Sequence, residues 1–296
     1  MSDTTAHLKR KIGGARDLQS VVRSMKALAA ASIGQYEKSV QALAEYAQTV
    51  ELGLCISLKK SRPVVAETAR KEGCGEGMFG AVIFGSDQGL VGQFNEVLID
   101  SALHTLERIP GIPQVWAVGE RIHAQLSDQG LSMLGRFTMP SSVKGISLLV
   151  GQILVEMEAA RDEIGLSQVY LFYNRLQANL VYAPVSQRLV PLDETWQRTL
   201  TNLHWPTVQL PEVIGNGTET LRALIREYFF VSLFRACAES LASENASRLA
   251  AMQRAEKNIK ELLEDLQGKF HRLRQSTIDE ELFDVISGFE ALQRIV

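Results

Sequence analysis

The strongest constraint on this chain is a seven-residue apolar repeat at each end. Leu8, Ala15, Val22, Ala29, Tyr36, Leu43 and Val50 share one position of the repeat, and Ile12, Ile33, Val40, Ala47 and Leu54 share a second. Such spacing keeps a narrow apolar stripe on one side of a helix, and the stripe needs another helix to cover it. Gln19 and Lys26 interrupt the second set, where Leu18 and Met25 can turn inward instead.

The C-terminal third repeats the pattern. Leu224, Val231, Ala238, Asn245, Met252, Ile259, Leu266 and Leu273 form one set, with Leu221, Tyr228, Ala242, Leu249, Leu263, Phe270 and Thr277 as partners, and no proline follows Pro211. At ~1.5 Å per residue, a helix from about residue 218 to about residue 292 would be roughly 110 Å long, and the N-terminal one roughly 70 Å. Neither fits inside a compact domain.

Between the repeats the pattern changes. Apolar runs at 79–85, 114–119 and 168–174 alternate with helical stretches at 95–109, 120–129 and 146–164. That alternation predicts a mostly parallel sheet with helices on its faces. QANLVYAP and SQRLVPL read as closing strands. The expected plan is a small Rossmann-like α/β domain inserted between two long helices that form an antiparallel coiled coil. Its parts are an N-terminal shaft helix at 1–57, an α/β foot domain at 78–192, a linker at 193–217 and a C-terminal shaft helix at 218–296, which should extend beyond the paired region.

The chain has 296 residues and a net charge of −3, so it carries no overall field that would attract nucleic acid or an anionic membrane. The N-terminus has no apolar stretch after its charges, and YFFVSLF at 228–234 is cut off by Arg235, which predicts neither export nor membrane insertion. Cys55, Cys74 and Cys237 have neither metal-knuckle nor C-x-x-C spacing, and three suits a reducing compartment better than a disulfide framework.

Chemistry is sparse. Gly85, Gly89 and Gly92 follow the first strand with Asp87 among them, where a phosphate loop would lie, yet they miss the G-x-G-x-x-G interval and no Walker lysine follows. The glycines suit close backbone approach, and Asp87 suits a cap on the following helix. The five histidines lack ligand spacing and Ser86 lacks a nucleophile elbow, so no catalytic, metal or cofactor site is expected. Lys9, Arg10, Lys11, Arg16, Arg23 and Lys26 crowd the first helix, and Arg272 and Arg274 recur on the last. They form either a solvated face or a surface for an acidic partner. Small residues at ALAAAS (27–32) and ACAESLASENAS (236–247) would leave a slim rod suited to rotation inside a sleeve.

At these residues the chain resembles the γ subunit of F-type rotary ATP synthases. The C-terminal stretch contains E-x-x-A-R-x-x-A-M-x-x-A-x-x-N-like and R-Q-x-x-I-x-x-E-L elements, IGGARDLQSVVRSMKALAAAS resembles the other shaft strand, and GSDQGLVGQFN resembles the α/β-domain motif S-D-R-G-L-C-G-x-x-N. The resemblance implies a non-catalytic central-stalk rotor that carries torque between a membrane ion-driven ring and the hexamer of α and β subunits, coupling ion transport to ATP synthesis or hydrolysis. It implies partners in the α and β subunits, the ε subunit and the c-ring, at the cytoplasmic face of the bacterial plasma membrane. Arg274 and Gln275 match a pair that contacts a β subunit, Met25 matches a shaft methionine, and Lys26, Arg23 and Arg10 are further contact candidates. Gln88 in place of arginine, Gly13-Gly14 and the continuation SIGQYEKS depart from the pattern and suit a divergent branch, such as the alternative bacterial sodium or proton ATPases. Two other readings remain open on the residues alone: a Rossmann-like nucleotide-binding enzyme with dimerising helical arms, and a static coiled-coil scaffold.

Overall fold

The computed structural model describes residues 4–60, 77–166, 168–177, 182–190 and 216–293, with isolated positions between 190 and 216 and side chains up to residue 287. Cys74 and most of the expected linker lie outside the described residues. The elements run α1 (Thr5–Lys60), β1 (Met78–Phe84), α2 (Phe94–Leu106), β2 (Ile112–Val118), α3 (Glu120–Asp128), β3 (Ser132–Phe137), α4 (Val143–Ile164), β4 (Gln168–Leu176), β5 (Tyr182–Val190) and α5 (Gly217–Gln293). The chain divides into two units, one of residues 1–28 with 249–296 and one of residues 29–248.

In the larger unit the sheet order is β3-β2-β1-β4-β5. The first four strands are parallel, and β5 returns antiparallel to β4. The period-two alternation of strand side chains sorts β1 between two cores. Val82 and Phe84 join Trp116, Tyr173, the buried face of α4 and Leu233 to Ala242 of α5, while Phe79, Ala81 and Ile83 join α2 and α3 through Leu98, Ala102, Ile122 and Leu126. With both faces covered, the strand reads as an unbroken apolar run.

Two details differ from the sequence reading. The two expected closing strands are one strand, β5, with Pro184 inside it. An edge strand can hold proline because one side of it has no ladder to break. The other edge strand, β3, went unread because SMLGRF is only half-covered and contains Gly135 and Arg136. Trp116 explains the glycine: a Cβ there would lie 3.3 Å from the indole Cδ1.

The long helices run antiparallel in each unit. In the larger one, Tyr46 donates to Glu227 at 2.7 Å, and Leu224 packs against the backbone at Gly53. In the smaller one, Leu8, Ile12 and Ala15 pack with Leu263 and Leu266, flanked by Ile259, Phe270 and Leu273. Every described seam position from Leu8 to Leu54 is buried or half-buried, Gln19 and Lys26 included, while Leu18 points outward rather than replacing Gln19. Thr277 is exposed, as is every described side chain of α5 beyond it, so the seam closes at Leu273. Leu263→Ala should destabilise the protein by ~2–5 kcal/mol in urea unfolding, as expected for a truncated core leucine.

Candidate functional site

In a parallel sheet of this order, ligands bind beyond the carboxyl ends of the strands, where the chain order switches sides. Here that switch lies between β1 and β4, and α5 itself occupies it. Ser240 donates to the carbonyl of Phe84 at 2.9 Å, and the Ser243 hydroxyl lies within donating distance of the carbonyl of Asn174 at 3.0 Å and of Glu239, one turn back in its own helix, at 2.8 Å. Ser247 continues the row with a bond to the carbonyl of Val91. Spacings of three, four and seven residues place all three hydroxyls on one helix face. Asn174 is fully buried and donates to the carbonyl of Phe94 at 3.0 Å, which fixes α2 at the same edge.

Short side chains make this approach possible. Ala236, Ala238, Ala242, Ser240 and Ser243 are all buried, so the small-residue stretch of α5 serves close docking on the sheet. The slim-rod expectation fits ALAAAS better, where Ala27, Ala30 and Ala31 are exposed. Beside the serine row, Glu239 accepts from Arg175 of β4 at 2.6 Å and from Arg235 at 2.8 Å. Tyr173 also receives Arg175, at 2.6 Å. Burial pushes the Glu244 carboxyl up, and Arg248 at 2.5 Å opposes that rise.

The loop after β1 carries its own anion. Asp87 accepts from the backbone N–H of Glu120 at 2.9 Å and from that of Met139 at 3.0 Å. It thus caps α3, which comes after α2 and β2, and not the helix that follows it. Helix N-termini attract anions, and here a side-chain carboxylate fills that place. Gly85 is required by contact, since a Cβ there would sit 2.4 Å from Ile122. Gly92 takes a positive φ of 58°, and Leu90 takes 64° without glycine's freedom. Among the described residues, no group of three His, Cys, Asp or Glu side chains is placed to hold a metal. Asp87→Ala strands two N–H groups and should lower stability by about 1–2 kcal/mol in chemical denaturation.

The charged candidates lie in the smaller unit. Glu256 accepts from Arg23 at 2.9 Å and from Lys26 at 2.5 Å. Met25 is half-buried beside them, while Arg10 is exposed and apart. Arg274 lines an open groove of about 390 Å³ with Lys9, Phe270 and Ile278, and Gln275 is exposed next to it. The structure therefore unites Arg23 with Lys26 and leaves Arg274 and Gln275 nearer the end of α5. Glu256 escaped the sequence reading, although a signal existed. It occupies a skipped seam position of the second repeat, as Lys26 does in the first, and the two gaps carry opposite charge.

Hydrogen bonds from Lys26 and Arg23 hold the Glu256 carboxyl below its ordinary range. The contribution of this pairing is therefore complete above the ordinary carboxylate value and disappears as pH falls through the lower folded value. The stability difference between the parent and Glu256→Gln should shrink on acidification from about pH 7 to about pH 3, as read by urea midpoints.

These features define a class: a pair of long antiparallel helices with an inserted α/β domain whose ligand crevice is closed by the chain's own helix. A family model described as ATP synthase matches residues 4–292, so the chain belongs to the ATP synthase family. It is 28% identical over 305 residues to the ATP synthase gamma chain of Salinibacter ruber, covering 97% of each. It is 26% identical over 296 residues to that of Moorella thermoacetica, covering 97% of this chain and 98% of the other. Among solved structures, it is similar to the rotor of Euglena gracilis mitochondrial ATP synthase, with TM-score 0.61 and 15% identity over 93% of this chain and 98% of that one. The central stalk and c-ring structure of Tetrahymena thermophila mitochondrial ATP synthase contains a chain with TM-score 0.53 and 20% identity over 79% of this chain and 99% of that one.

Proposed function

We propose that this chain is the central-stalk rotor (γ) subunit of an F-type ATP synthase, carrying torque between a membrane ion-driven ring and the catalytic hexamer. The observation that carries the reading is an exposed apolar surface on the paired helices of the smaller unit. Leu18, Val21 and Leu28 of α1 point outward, as do Ile278, Leu282, Phe283, Val285 and Ile286 of α5, with Phe283 69% exposed. So many large apolar side chains on one slender unit suit an enclosing protein surface better than water. Residues 1–57 and 218–296 would form the shaft, residues 78–192 the foot, and residues 193–217 the connection.

The chain supplies no chemistry in this role. Its crevice is closed by α5, so a nucleotide has no room at the place where such a sheet would hold one. ATP chemistry then belongs to partner subunits, and this chain contributes asymmetry and stiffness. Partners are the α and β subunits, the ε subunit and the c-ring. The site of action is peripheral, at the cytoplasmic face of a bacterial plasma membrane. Among the described residues, no helix is long and apolar enough to cross a membrane.

Arg274, Gln275, Met25, Lys26, Arg23 and Arg10 are the proposed contacts to a β subunit. Arg274 suits a directional contact because its planar fork presents several donors. Among the described residues, neither Arg274 nor Gln275 makes a side-chain hydrogen bond or ion pair, which leaves both able to meet a partner. Co-purification with α and β subunits tests the assignment, and a chain that never associates with them would end it. Within the assembled complex, Arg274→Ala should reduce ion-coupled ATP turnover while changing the melting free energy by less than about 0.5 kcal/mol, as expected for an exposed side chain. Equal losses of coupling and stability would place Arg274 in the fold instead.

A further inference from the structure

Around Glu256 the two helices of the smaller unit border an open groove of about 290 Å³, lined by Gln19, Arg23, Gln253, Glu256, Lys257 and Lys260. Glu256 holds Arg23 and Lys26 together, at 2.9 and 2.5 Å. One carboxylate between two cations leaves the cluster with a net positive charge. Lys257 and Lys260 do little to change that, since each lies 3.9 Å from its own helical partner, Glu261 or Glu264, at the outer limit of an ion pair. Their side chains are 78% and 73% exposed, and that of Arg23 is 61% exposed. The groove therefore has cationic donors in excess over the carboxylates held close to them.

The cluster is also exchangeable. Water screens half-exposed ion pairs, so another carboxylate can take the place of Glu256 without unfolding the seam beneath it. Next to the cluster Met252 is buried and Val22 half-buried, and further along the seam Leu8, Ile12, Ala15, Leu263 and Leu266 pack independently of it. The geometry favours single carboxylates on a protein segment over a polyanion. Glu256, Glu261 and Glu264 all lie on the same helix and would repel a run of phosphates, and the whole chain is already negative at −3.

We infer that Glu256 is an internal counter-charge that occupies Arg23 and Lys26 until a carboxylate from an acidic protein segment displaces it, making this groove the docking site of that segment and Glu256 the residue that tunes its hold. The identity of the segment as part of a β subunit rests on the rotor reading; the exchange itself does not. Displacement changes no covalent bond. It swaps one carboxylate for another, and the side chain of Glu256 swings to water.

The test uses the full chain and a fluorescent peptide whose glutamates are spaced apart by uncharged residues, followed by anisotropy. Glu256→Gln keeps the shape of the side chain and removes the competitor, so it should bind the peptide roughly fivefold more tightly than the parent at low salt. The gain should vanish when Arg23→Gln and Lys26→Gln are added, and it should fade between about 0.05 M and about 0.5 M NaCl. Glu256→Asp, with a carboxylate one methylene shorter, should give an intermediate gain. Helix content by circular dichroism checks that each variant is folded. Peptide affinity unchanged or weakened in Glu256→Gln, or a gain that survives loss of both cations, would overturn the inference. Normal peptide exchange in a chain that fails to co-purify with α and β subunits would sink the rotor reading alone.

Discussion

The arrangement of the larger unit depends on one contact, the docking of α5 across the carboxyl edge of the parallel sheet. Ser240, Ser243 and Ser247 aim hydroxyls at the carbonyls of Phe84 and Asn174 on the sheet and of Val91 in the loop after β1. A larger side chain at any of these places would hold the helix away from the sheet and break these bonds. The same contact closes the crevice where a doubly wound sheet would bind a nucleotide. A fold often used for ligand chemistry becomes a clamp on a helix, and Glu239, gripped by Arg175 and Arg235, ties the helix to β4 beside it.

The smaller unit follows a different rule. Its seam is apolar at Leu8, Ile12, Leu263 and Leu266, and it carries a cation and an anion where the two repeats lapse. A charged pair at a seam stabilises little by comparison with leucine, but it rejects other registers, because a shifted helix would place Lys26 or Glu256 against apolar neighbours. Exposed apolar side chains on the same unit complement this economy. The helices bury only one stripe against each other, and the remaining surface keeps its large apolar side chains exposed.

Much of this was legible in the residues. The heptad positions foretold which side of each long helix is covered, because a seam must recur at fixed intervals however the rest folds. The apolar runs of β1, β2 and β4 were legible for a similar reason, since strands covered on both faces need apolar residues throughout. Edge strands were harder: β3, half-covered, went unread, and β5, with Pro184 inside it, was expected as two strands and not one. At the candidate site, Arg23, Lys26 and Arg274 stood out as charges, whereas Glu256 did not, because its meaning depends on a residue 230 positions away.

Local periodicity, then, set the helices, their covered stripes and the order of strand and helix along the chain, since these depend on neighbours a few residues apart. Three-dimensional packing alone decided that Asp87 caps α3 and not α2, that the serine row of α5 seals the sheet edge, and that Glu256 meets both Arg23 and Lys26. Each of those contacts joins groups far apart in sequence, and a hydrogen bond or ion pair has no periodic signature to announce its partner. Their distances exist only once the apolar seams and the sheet have fixed the backbone.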